Sequence, residues 1–96
     1  MEFNAHRKPG LYRRIGLACG LDVLKLKAEE ADRQTIGFIK KFNAGLGLGG
    51  GLRAYGVKES LLDPLSLQAF ADSCHATNPV PVNRDDLKAL YQAAMG

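Results

Sequence analysis

Cys74 and His75 stand side by side in the chain, a thiol next to an imidazole, which are the two groups from which a nucleophile and its base are built. Adjacency alone does not activate a thiol, because the base must reach the sulfur and a third group must orient the base. Cys74 also closes an apolar series of helical spacing, Leu67, Phe70, Ala71 and Cys74, which reads it as a packed cysteine. The available soft and imidazole ligands are His6, Cys19, Cys74 and His75, too few and too dispersed for a self-contained tetrahedral metal centre. Gly45, Gly47 and Gly50 satisfy G-x-G-x-x-G, but that fingerprint needs a strand before it and a helix after it to hold a pyrophosphate. Here a helical pattern precedes the glycines and no GK[ST] follows, so the stretch reads as a helix stop and a flexible connection. The segment from His75 to Val82 is polar and is stiffened by Pro79 and Pro81, which push Asn78 and Val80 toward extended backbone. A stiff polar loop on a helical scaffold serves either as a ligand contact or as a rigid connector.

Four helical patterns position these residues, and no strand pattern stands out. The first spans 9–19: Pro9 opens it, Leu11, Ile15, Ala18 and Cys19 form a stripe, and Gly20 stops it, with Leu21 packing back. The second spans 28–44, with Ala28, Ala31, Thr35, Phe38 and Phe42 on one face and Gly45 as the stop. Its acids (Glu29, Glu30, Asp32) crowd the start and its bases (Lys40, Lys41) the end, as the helix dipole favours. Gly37 inside it costs about 1 kcal/mol relative to Ala and is the kind of residue that marks close approach of another element. The third spans 64–74, with Asp63 as cap and Pro64 at the first helical position. The fourth spans 84–94 after Asn83, with Asp85 and Asp86 in the first turn and Leu87, Leu90, Tyr91 and Ala94 as its stripe.

The chain is thus read as all-α and as a single helical domain over 1–96, without an internal repeat or a dividing linker. Its 96 residues can bury only a thin core. Residues 1–41 hold nine basic and five acidic groups and residues 42–96 four and five, so the basic excess sits in the first half. Its densest cluster is Arg7, Lys8, Arg13 and Arg14, with only Tyr12 as a nearby aromatic. That is a solvated basic face or one for an acidic partner, not a nucleic-acid stripe. No run is apolar enough to span a membrane and no secretion signal is seen. Two cysteines 55 positions apart fit free thiols in a reducing cytoplasm.

The stretch Ala71-Asp-Ser-Cys-His-Ala-Thr-Asn-Pro-Val80 resembles the C-terminal signature of the iron-containing (metal-dependent, group III) alcohol dehydrogenase family, where a cysteine stands four positions before Asn-Pro. Three further stretches agree in order. Met1-Glu-Phe-Asn4 is similar to the family's segment after its last metal ligand. Gly47-Leu48, Leu52 and Gly56-Val57-Lys58-Glu59 are similar to its helix connection, and Asp85-Asp86-Leu87 to Tyr91 to its final helix. The resemblance implies the C-terminal part of a dehydroquinate-synthase-like helical domain. The complete enzyme would be an NAD(P)-dependent oxidoreductase interconverting small alcohols and aldehydes or ketones, with iron or sometimes zinc held by one Asp and three His. All four ligands and the nucleotide site would lie before Met1. His6 follows Asn4, so it does not inherit the last ligand's role.

What carries over is limited to Cys74, His75, Thr77 and Asn78, which the resemblance places on the wall of the substrate and nicotinamide cleft as contacts and not as proton carriers. Val80 stands where many members have Arg, and Gly49-Gly50-Gly51 where many have a stiffer link. The expectation is a C-terminal fragment with no cofactor, metal or catalysis of its own, completed by the missing N-terminal portion. The alternative is a stand-alone helical module that self-associates or binds a protein partner; a helix-turn-helix nucleic-acid binder is the weakest reading.

Overall fold

The computed structural model describes residues 1–96, and every regular element in it is helical. Five α-helices follow in order: α1 (Glu2–Arg7), α2 (Arg13–Ala18), α3 (Ala28–Gly45), α4 (Leu62–Ala71) and α5 (Arg84–Ala94). Short 3-10 helices occupy Leu52–Tyr55, Glu59–Leu61 and Ser73–Thr77. The chain divides into two compact units, Met1–Gly49 and Gly50–Gly96.

In the first unit a buried carboxylate organises the backbone. Asp32, 2% exposed, accepts the Gly10 N–H at 2.6 Å and the Tyr12 N–H at 2.9 Å. Those amides are therefore drawn away from helix, and Gly10 takes a φ of +90° that favours glycine. The helix read from Pro9 onward consequently begins only at Arg13. Its stop is as read: Gly20 has a φ of +80° and the Leu21 N–H reaches the Gly16 carbonyl at 3.0 Å. The Arg13 guanidinium then donates to the carbonyls of Val23, Leu24 and Leu26, at 2.5, 2.8 and 2.6 Å, and pins the link to α3.

The buried face of α2 is rotated from the one read in the sequence, and that of α3 agrees at Ala31 and Thr35 but not at Phe38 and Phe42. Tyr12 and Gly16 are buried, while Ile15 and Cys19 are exposed. The reason is steric: a Cβ on Gly16 would collide with Thr35 Oγ1 and come within 3.0 Å of Val23, so glycine lets α2 lie close on α3. On α3 the buried residues are Ala31, Asp32, Thr35 and Ile36, whereas Phe38 and Phe42 are 37% and 57% exposed. Thr35 satisfies its hydroxyl by donating to the Ala31 carbonyl at 2.8 Å. The stop of α3 is Gly47, with φ +77° and the Leu48 N–H on the Asn43 carbonyl, and not Gly45. α1 is a helix that the sequence reading lacks; Lys40 of α3 pairs with Glu2 at 2.5 Å and Arg7 covers the Phe3 ring.

In the second unit α4 and α5 pack on each other around Leu62, Val80 and Met95, each at most 6% exposed. α4 starts at Leu62, so Pro64 lies inside its first turn, where an amide hydrogen has no helical partner anyway. Asp63 is not its cap; it pairs with Lys88 of α5 at 2.8 Å, and that hydrogen bond and charge hold its carboxyl below the usual range. α4 ends at Ala71 and buries Leu62 and Ser66; Leu67, Phe70 and Cys74 stay exposed. α5 carries a reciprocal cap: Asn83 Oδ1 accepts the Asp86 N–H at 2.8 Å and Asp86 Oδ2 accepts the Asn83 N–H at 3.0 Å.

The reading of the glycine stretch as a flexible connection fails at Gly51. A Cβ there would run into the Met95 carbonyl and come within 2.7 Å of Gly96 Cα, so Gly51 lets the chain end lie against it. Adding one methyl at either close approach, Gly16→Ala or Gly51→Ala, is expected to cost about 1–3 kcal/mol, the usual penalty of overpacking. Urea unfolding midpoints of the two variants check this, with the exposed Gly45→Ala, where no atom lies within 4 Å of the added carbon, as the control expected to be neutral or stabilising.

Candidate functional site

The residues singled out in the sequence meet on the segment that links α4 to α5. At Asp72 the backbone turns extended, with ψ 137°, and Asp72 Oδ1 accepts the Cys74 N–H at 2.9 Å. This cap starts the 3-10 helix Ser73–Thr77 and lifts Cys74 off the α4 face. Thr77 Oγ1 donates to the Cys74 carbonyl at 2.9 Å, and the Asn78 N–H donates to the His75 carbonyl at 3.1 Å. The His75 ring stacks on Phe70, with centroids 4.9 Å apart and planes 12° from parallel, and its Nε2 lies 2.9 Å from the Phe70 carbonyl. A carbonyl oxygen only accepts, so Nε2 carries a proton and donates it to this bond. Asn78 Nδ2 donates to the Val80 carbonyl at 2.8 Å and closes the loop on itself. Val80 is buried among the core residues of this unit, so the loop is anchored by apolar burial at the position where the resemblance leads one to look for an arginine.

An open groove of about 440 Å³ runs along this loop, lined by His75, Ala76, Asn78, Pro79, Val80, Pro81 and Val82. Of the four expected contact residues, His75 and Asn78 line it; Cys74 and Thr77 belong to the turn that shapes it. Its lining carries a small polar end and an apolar wall of two prolines and two valines, with no lysine, arginine or carboxylate.

The electrostatics run against a nucleophilic cysteine. Hydrogen bonding to Asp72, then the carboxylate's charge, pushes the Cys74 thiol up, and the same contact holds the Asp72 carboxyl down. A reactive thiolate needs the opposite surroundings, a cation or a helix N-terminus that lowers its pKa. The imidazole beside it is engaged with the Phe70 carbonyl. The packed reading of Cys74 also fails, because the thiol is exposed. The sequence reading gave Asp72 no role and took Phe70 only as a member of the apolar series. The signal for the first was there: an aspartate two positions before an amide that opens a helical turn is a common local cap.

Elsewhere, no three His, Cys, Asp or Glu side chains gather closely enough to hold a metal ion, and the glycines at 45, 47 and 50 follow a helix with no strand before them. The residues present therefore do not fit iron or zinc, nor a dinucleotide pyrophosphate cradle. Residues 1–95 match the C-terminal region of the Fe-containing alcohol dehydrogenase family. The chain belongs to this family. It is 27% identical to the NAD-dependent methanol dehydrogenase of Bacillus methanolicus over 93 residues, which is 97% of the chain and 24% of that enzyme. It is 26% identical to the NADPH-dependent butanol dehydrogenase of Clostridium saccharobutylicum over 96 residues, 96% of the chain and 24% of that enzyme. It is 45% identical to alcohol dehydrogenase 4 of Schizosaccharomyces pombe over 40 residues, 42% of the chain and 10% of that protein. The chain thus spans about a quarter of the length of the methanol and butanol dehydrogenases it resembles. No solved structure gives a significant match.

The Asp72 contact raises the Cys74 thiol pKa and so disfavours the reactive thiolate. Replacing Asp72→Asn removes the negative charge, so the thiol pKa falls and alkylation of Cys74 by iodoacetamide at pH 8 is expected to rise severalfold, with Cys19 unchanged. Peptide mass spectrometry over pH 6–10 checks this, and an unmoved Cys74 profile would refute the electrostatic account.

Proposed function

We propose that these 96 residues serve as the C-terminal helical portion of an NAD(P)-dependent, iron-containing alcohol dehydrogenase, one wall of whose active-site cleft is the 72–82 segment. The observation that carries this reading is the family match over 1–95 together with an open, proline-stiffened groove on the signature segment. His75 and Asn78 present the polar end of that groove, while Asp72, Cys74 and Thr77 hold the turn in shape through backbone hydrogen bonds. Their role is contact and positioning, since the imidazole is bound to a carbonyl and the thiol is held protonated. The nucleotide-binding domain and the iron ligands belong to the rest of the enzyme, which supplies a hydride acceptor and a Lewis acid. An NAD-dependent and an NADPH-dependent relative both align with this chain, which supports a nicotinamide cofactor for the complete enzyme without distinguishing the two. Its exposed, unpaired cysteines suit the reducing cytoplasm.

The test is a chimera in which this chain replaces the matching last quarter of the butanol dehydrogenase. The chimera is expected to reduce NADP with an alcohol, and the isolated chain to show no alcohol-dependent reduction of NAD or NADP. Alcohol-dependent reduction by the isolated chain, or a chimera that folds and is inactive with every primary alcohol from methanol to hexanol, would overturn the proposal. In the active chimera, Asn78→Ala is expected to release the loop from Val80 and lower kcat/KM about tenfold, the equivalent of one hydrogen bond at ~1.4 kcal/mol.

A further inference from the structure

α4 ends by an exchange of partners. In a continued helix the Cys74 N–H would reach the Phe70 carbonyl, four residues back. Asp72 Oδ1 takes that N–H instead, at 2.9 Å. The Phe70 carbonyl is then one of the orphaned acceptors of a helix end, and His75 Nε2 fills it at 2.9 Å. The ring of the same phenylalanine stacks on the imidazole, with 4.9 Å between centroids. Phe70 thus holds His75 twice, by its carbonyl and by its ring. Core packing does not account for that ring, since Phe70 is 43% exposed.

His75 and Asn78 are the polar side chains of the groove along this loop. Asn78 spends its Nδ2 on the Val80 carbonyl. The grip of Phe70 decides how the His75 nitrogens are used. Nε2 donates to the carbonyl, so in the neutral ring Nδ1 is a bare acceptor, and no hydrogen bond within the chain engages it. Such an acceptor pairs with an O–H or N–H and not with a carboxylate or phosphate. The rest of the lining agrees, because it offers no cation to either anion.

We propose that Phe70 is a positioning residue of this groove: it fixes the His75 imidazole so that Nδ1 accepts a hydrogen bond from an uncharged ligand, either the hydroxyl of an alcohol or the carboxamide N–H of the nicotinamide. The proposal rests on the proposed function, which puts the 72–82 segment on the wall of the cleft.

The experiment compares four variants of the chimera with a control. Phe70→Leu and His75→Leu are each expected to raise one KM about tenfold, with kcat within twofold, as loss of a binding hydrogen bond would. The KM that rises, for 1-butanol or for NADP, identifies the donor. The double variant is expected to be no worse than His75→Leu alone, because Phe70 acts through His75. Phe70→Tyr keeps the ring and is expected to restore the parent values. Leu67→Ala, an exposed residue one turn earlier on α4, is the control expected to change neither KM. Both KM values within error of the parent for Phe70→Leu would overturn the proposal and leave the proposed function standing. So would losses that add in the double variant and follow the melting temperature, which would make Phe70 a scaffold residue only. In the isolated chain, long-range ¹H–¹⁵N spectra at pH 9 are expected to show His75 protonated at Nε2 and bare at Nδ1. A ring protonated at Nδ1 would overturn the proposal whatever the chimera does. A parent chimera that folds and does not turn over would refute the proposed function and this role of Phe70 with it.

Discussion

The first unit depends on one buried carboxylate. By taking the amides of Gly10 and Tyr12, Asp32 fixes where the chain stops turning and where α2 begins. That start sets the rotation of α2, and the rotation decides that Gly16, not a larger residue, faces Thr35. Once the two helices lie that close, the buried face of α3 is fixed at Ala31, Asp32, Thr35 and Ile36, and Phe38 and Phe42 are left outside. Buried carboxyl groups are tolerated when their oxygens are satisfied, and here both oxygens accept backbone hydrogens, so the contact that organises the fold also offsets part of the cost of burying them.

Local chemistry was the legible part of the sequence. The Asn83 cap with Asp86, the Gly20 stop and the long second helix stand where their residues place them, because each depends on groups within a few positions of one another. What the sequence hid was set at a distance. The late start of α2 comes from a residue 20 or more positions away. The inward face of α2 shifted by one position because steric fit at glycine outweighed the count of apolar side chains, while α3 kept Ala31 and Thr35 inward as read and lost Phe38 and Phe42 to the surface. Gly51 reads as a flexible residue until the Met95 carbonyl is seen against it.

The signature segment shows the same division. Its existence and stiffness followed from Pro79 and Pro81, and its likeness to the family followed from Cys74 and Asn78. Its chemistry did not. The neighbouring Cys and His suggest a nucleophile and base, yet the turn gives the thiol a carboxylate partner and gives the imidazole a carbonyl and an aromatic ring. The 3-10 turn is thereby built from the same polar groups that would otherwise be free to react, which is why a shaping role for Cys74 and Thr77 agrees with the geometry better than a chemical one.

The distribution of apolar side chains then bears on what such a chain is for. The second unit buries Leu62, Val80 and Met95, while Leu61, Leu67 and Phe70 of the same stretch remain exposed. A unit of that size with so small a core has little margin over the conformational entropy lost on ordering it. It adds to that core the Asn83 cap and the close approach at Gly51, which order short or absent side chains. The loop between α4 and α5 draws its order from Val80, the two prolines and the Asn78 bond to the Val80 carbonyl, all within its own unit, so the groove along it is shaped without help from any other segment.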